Sequence, residues 1–126
     1  MNLKQQYPVS KECIDKGVRV PLGDATFILS YYNSSKAQLF FHSEVQKLKN
    51  SANATDAVLM AMRSTLVQFV ILGWENLQED DVIVEYSKEE CERILNDYEG
   101  LDVTLMGLSI DVQVFKDKTN EEILGN

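Results

Sequence analysis

Residues 69–94 read FVILGWENLQEDDVIVEYSKEECERI, and the assignment of the apolar run at their start decides the fold. The run continues a pattern that begins near Thr55. Val58, Met62, Leu66 and Phe69 recur at spacings of four, four and three, while Leu59, Val67, Val70 and Ile71 fill the neighbouring faces. That periodicity predicts a helix apolar over most of its circumference, with Thr55 as N-cap and Asp56 near the positive end of its dipole. Gly73 is its natural terminator, or it runs on to Asn76. Such a helix belongs at the centre of a domain or under a second subunit.

Working outward, Asp81–Tyr86 reads as a short extended segment. Ser87-Lys88-Glu89-Glu90 then matches a capping box, with Ser87 as N-cap and Glu90 at N3. The helix it opens carries the stripe Cys91, Ile94, Leu95 and Tyr98 and ends at Gly100. Leu101, Leu105, Leu108, Val112 and Phe115 continue at helical spacing, which predicts one further helix of about four turns. On the N-terminal side, Ala37, Phe41, Val45 and Leu48 mark an amphipathic helix after the polar stretch Asn33-Ser34-Ser35. Before it, GVRVPLGDATFILSYYN (17–33) places β-branched and aromatic residues on both sides of Leu22-Gly23-Asp24, the pattern of a β-hairpin. Pro21 cannot donate to a ladder, so its strand lies at an edge or ends there. Two strands alone are marginal in water, so helices are expected to cover them. The fold class is therefore α+β, a mainly helical domain of about four helices with an N-terminal β-hairpin. Residues 17–118 form the single domain, residues 1–16 an N-terminal arm and residues 119–126 a loosely held polar tail.

The chain has 126 residues, enough for one core. Twenty acids against twelve bases give a formal charge of -8, which repels nucleic-acid phosphate and anionic lipid. Cys13 and Cys91 lie far apart and His42 stands alone, so neither a disulfide framework nor a zinc set is offered, and a reducing cytoplasm fits. No signal peptide is read at the N-terminus, and the richest apolar window, Ala57–Leu72, is too short and too interrupted to cross a bilayer.

The common phosphate, dinucleotide, zinc-protease and serine-hydrolase motifs do not occur, and the chain is read as a non-enzyme without a cofactor. Asp80-Asp81 and Glu89, Glu90 and Glu92 suit a solvated helix start better than acid–base or cation chemistry. His42 lacks a placed partner acid, and Cys91, like Cys13, is better explained as a small core hydrophobe. Trp74 reads either as the plug of a core or as an interface anchor, two roles that can coexist.

The order of parts around Trp74 resembles the tail assembly chaperones of long-tailed bacteriophages. The likeness rests on an extended N-terminal pair, an apolar helix ending in Gly73-Trp74-Glu75, an acidic spacer, Tyr86-Ser87-Lys88-Glu89 opening a helix, and a leucine-rich helix after it. It covers roughly residues 17–118. The spacer Asn76–Glu85 has neither the Gly nor the Pro of members taken as typical, and the first sixteen residues fall outside the likeness. The resemblance implies a protein of the infected or lysogenic host's cytoplasm. It would coat the long, hydrophobic tape measure protein until tail tube protein polymerises around it, and be absent from the finished particle. It also implies a longer form made by frameshifting.

For that role the expected partner-binding residues are Phe41, Leu66, Val70 and Trp74, lining an apolar groove with an acidic rim, in a chain that forms a homo-oligomer. Two other readings compete. One is an acidic decoy for a host nucleic-acid-binding protein, although the acids occur in every segment, as on any solvated surface. The other is a small enzyme holding a metal on Asp80, Asp81 or Glu85.

Overall fold

The structure, a computed structural model, describes residues 1–116. The hairpin forms as its sequence predicts: β1 (Val18–Leu22) and β2 (Ala25–Leu29) pair antiparallel from Val18 opposite Leu29 to Leu22 opposite Ala25. Gly23 adopts φ +61° while Asp24 stays out of the positive-φ region, the pattern of a type II′ turn. β1 is the sheet edge, where exposed Pro21 costs no ladder bond.

The cover of the hairpin differs from expectation, because the predicted long helix breaks. α1 (Leu3–Gln6) and α2 (Lys11–Lys16) precede the hairpin, α3 (Ser35–Leu48) follows it, and α4 spans only Ala54–Thr65. Its N-cap is Asn53, not Thr55: the Asn53 Oδ1 accepts the Asp56 N–H at 2.9 Å. At the other end, Thr65 Oγ1 donates to the Ala61 carbonyl at 2.7 Å, a back-bond of the kind that bends helices. Leu66–Val70 then widen into a π-turn, closed by the Ile71 N–H on the Leu66 carbonyl. β-branched Val70 and Ile71 pass directly into strand β3 (Ile71–Glu75), which pairs antiparallel with β2 and gives the sheet order β1-β2-β3. A bulge between Ile28 and Leu29 leaves Leu72 outside the register.

A second, two-residue ribbon joins β4 (Gln78–Glu79) to β5 (Val82–Ile83). Its turn residues Asp80 and Asp81 both have positive φ, as a type I′ turn requires. α5 (Lys88–Asp97) starts where predicted, with Ser87 Oγ accepting the Glu90 N–H at 3.0 Å. The Glu90 carboxylate, however, accepts from Arg93 rather than turning back to the cap. The single last helix of the sequence reading is two: α6 (Leu101–Ile110) and α7 (Val112–Phe115) meet at Asp111, whose extended backbone ends one and whose side chain caps the other. Tyr98 leaves the expected α5 stripe and is 46% exposed.

One face of the sheet supplies Val18, Val20, Phe27, Leu29, Ile71 and Trp74 to a core completed by Leu66, Leu95, Leu105 and Phe115. Each of the aliphatic and Phe side chains stabilises the fold by about 1.5–3 kcal/mol through removal from water, and Trp74 by more. The π-turn is the hub, touching α3, α4, α5, α6 and β3. On the other face, Ile28 is closed over by the chain at Gly17, where φ is +77° and a Cβ would stand 2.9 Å from Ile28 Cγ2. Part of the expected N-terminal arm is integral to the domain: Cys13 of α2 lies in the core, and Ser30 Oγ donates to the Ile14 carbonyl at 2.6 Å. The tail expected at 119–126 lies outside the described residues.

Candidate interaction surface

Of the four expected partner-binding residues, Leu66 and Val70 are completely buried in the π-turn and Trp74 is 7% exposed, while Phe41 is half-buried. They do not form one open groove. Trp74 stands on β3, not at a helix end, directly opposite Phe27. Its ring meets Phe27 and Tyr86 edge-on, with centroids 6.0 and 5.0 Å away. Its Nε1 donates to the Val84 carbonyl at 2.7 Å, and the Tyr86 hydroxyl donates to the Ile71 carbonyl at 3.0 Å. These two bonds tie the end of the acidic spacer and the Tyr86 that follows it back onto the sheet. Phe41 is edge-on to Tyr32 at 6.3 Å.

The open apolar surface nearest to Phe41 in the chain comes from its helix and the next. α3 and α4 pack on one another, and α3 fully buries only Ala37, while α4 turns the small residues Ala57 and Ala61 inward. Residues between those two alanines take up the rest of the helix circumference. Val58, Leu59 and Met60 are 47, 37 and 46% exposed, and Leu39 of α3 is 73% exposed. Met60 also lines a cleft of about 160 Å³ between α4 and α5, with Arg63, Val67 and Leu95. α4 is held from below by a charge pair: Arg63 Nε donates to Asp102 Oδ2 at 2.7 Å, and the Asp102 side chain is only 3% exposed. The sequence signal for this surface was present in the apolarity of residues 58–60, but a helical run that is apolar on all sides does not say which side is left uncovered.

The remaining chemical candidates are placed as follows. His42 is exposed on α3 beside Phe41. Cys13 and Cys91 are free and buried, and burial pushes the Cys91 thiol up to about 12, so it behaves as an inert core group. Asp80 and Asp81 form the ribbon turn. Glu79 is bound by Arg93 at 2.6 Å and by the Tyr98 hydroxyl, and the Arg93 hydrogen bonds hold its carboxyl below the usual carboxylate range. Among the described residues no three of His, Cys, Asp and Glu gather as a metal site, and no helix is long and apolar enough to cross a membrane.

Fold and surface together define a small α+β domain that keeps apolar helix faces in the open. Residues 33–126 match the family model described as YdaY prophage protein. The chain belongs to that family and is a prophage protein. The match takes in everything from the entry to α3 onward, including the exposed helix pair and β3, and leaves the β1–β2 hairpin outside. No curated protein and no solved structure matches the chain.

Proposed function

We propose that this prophage protein is a tail assembly chaperone that works by binding, without catalysis, in the cytoplasm of the bacterial host. Its client is the tape measure protein, whose apolar helical stripes it shields until tail tube protein encloses them. The observation that carries the reading is the exposure of apolar Leu39 on α3 and of Val58, Leu59 and Met60 on α4, two helices packed on one another. A helix presenting apolar side chains at three- and four-residue spacing can lie against such a pair and remove both surfaces from water. Membership of a prophage family and the Gly73-Trp74-Glu75 and Tyr86-Ser87-Lys88-Glu89 blocks support the same assignment. Phe41, half-buried on α3, is the expected partner-binding residue that best fits this surface; Leu66 and Val70 would act from the π-turn packed against α3 and α4, by holding the helices in place, and Trp74 would act only through the core.

The test is co-expression with the tape measure protein encoded in the same prophage. Wild-type chain should keep it soluble and co-elute with it, and Leu39→Lys/Val58→Lys should lose both effects while remaining folded by circular dichroism. Equal solubility of the tape measure protein with and without the chain would end the proposal.

A further inference from the structure

A second open surface lies away from the α3–α4 pair. Between the β4–β5 ribbon and helices α5 and α6 runs an open groove of about 370 Å³ whose floor is Leu77, Val84, Ile94 and Leu101. That volume is within the range of ligand clefts. Asp80, Glu79 and Tyr98 form its wall. Val82 is directly opposite Glu79 in the ribbon, so the two side chains share a face, and Val82 is 67% exposed at the lip.

Charge selects the occupant. Residues 75–102 hold eleven acids against two bases, a net charge of -9, so that the rest of the chain is close to neutral. One of the two bases, Arg93, is already engaged by Glu79, Glu90 and Asp97, while Glu75 and Asp102 at the ends of the span pair with Arg19 and Arg63. Asp80, Asp81, Glu85 and Glu99 make no ion pair among the described residues. An apolar floor inside so negative a field favours a partner that brings apolar side chains flanked by cations, and disfavours an anionic or purely aliphatic one.

We infer that the groove between the β4–β5 ribbon and α5–α6 docks a cationic amphipathic segment of a partner protein, its apolar side chains on Leu77, Val84 and Leu101 and its lysines or arginines against Asp80 and its acidic neighbours. This surface is separate from the one assigned to the tape measure protein, and each can fail without the other.

The probe is a fluorescein-labelled amphipathic helix of leucine and lysine, followed by fluorescence anisotropy against the full chain. Its counterpart with glutamate in place of lysine serves as control. Asp80→Asn/Val82→Lys removes one wall charge and places a cation at the exposed lip. Gln5→Lys/Gln6→Lys makes the same charge change on the exposed helix α1, which belongs to neither proposed surface. Expected is binding of the lysine peptide that weakens at least about tenfold in the groove variant, changes less than about twofold in the α1 variant, and falls as salt rises past the point where exposed charges are screened. Equal weakening in both variants would show attraction to net charge alone and overturn the inference, as would equal binding of the glutamate peptide. Sedimentation velocity covers the remaining occupant: self-association abolished by Asp80→Asn/Val82→Lys would assign the groove to a second copy of the chain and likewise overturn it.

Discussion

Replacing Trp74 with alanine separates a core role from a surface role. A buried Trp removes about 150–250 Å² from water, worth roughly 4–6 kcal/mol at about 25 cal/mol per Å². Measured Trp or Phe truncations in cores cost about 3–5 kcal/mol. Trp74 also donates to the Val84 carbonyl and meets Phe27 and Tyr86 edge-on. Losing the hydrogen bond adds about 1 kcal/mol. Trp74→Ala should therefore cost about 4–6 kcal/mol, enough to leave a domain of ordinary stability marginal. Trp74→Phe, which keeps an aromatic ring but loses the donor, should cost about 1–3 kcal/mol. Urea unfolding followed by far-ultraviolet circular dichroism reads both, since the chain has no other Trp to report by fluorescence. A loss below about 1.5 kcal/mol for Trp74→Ala, with partner binding abolished, would refute the placement of this indole in the core.

Three further outcomes follow from single features. Asp102→Asn should destabilise by roughly 2–3 kcal/mol, below the 3–5 of a fully buried broken pair because the Arg63 side chain is 31% exposed and keeps access to water; denaturant melts measure it. Gly17→Ala should cost about 2 kcal/mol or more, because φ is +77° and the new methyl would stand 2.9 Å from Ile28 Cγ2, and a melting temperature equal to wild type would contradict it. The carboxyls of Glu75 and Glu79 are lowered first by hydrogen bonds from Arg19 and Arg93 respectively. Their contribution is thus complete above the ordinary carboxylate pKa and is lost as pH falls through the lowered values. Stability should decline on acidification below about pH 4.5, less steeply in Glu75→Gln/Glu79→Gln.

What could be read from sequence was what is encoded locally. The Gly23 turn needs positive φ, Pro21 needs an edge, and Ser87 caps the helix that begins beside it, so each announces its element. β3 could not be read this way. Phe69–Leu72 is an unbroken apolar run, so its pattern fits a helix and a fully buried strand equally. Pairing of Trp74 with Phe27 across a long sequence separation decides between them. Asn53 and Thr55 are both good caps two residues apart, and only the observed bond to the Asp56 N–H chooses. Likewise Asp111 sits within an unbroken helical stripe, yet its capping bond to the Gln113 N–H divides α6 from α7. The site was legible in kind but not in place. Apolar excess around α4 pointed to a covered face, but burial sent Leu66, Val70 and Trp74 inward and left Leu39, Val58, Leu59 and Met60 outside.

The most direct measurement is hydrogen exchange on the complex with the tape measure protein. Amides of α3 and α4 around Leu39 and Val58–Met60 should gain protection on binding, and the Leu39→Lys/Val58→Lys chain should show no such gain. Protection appearing elsewhere, with these two helices exchanging as in the free chain, would contradict the assignment of this helix pair as the shielding surface.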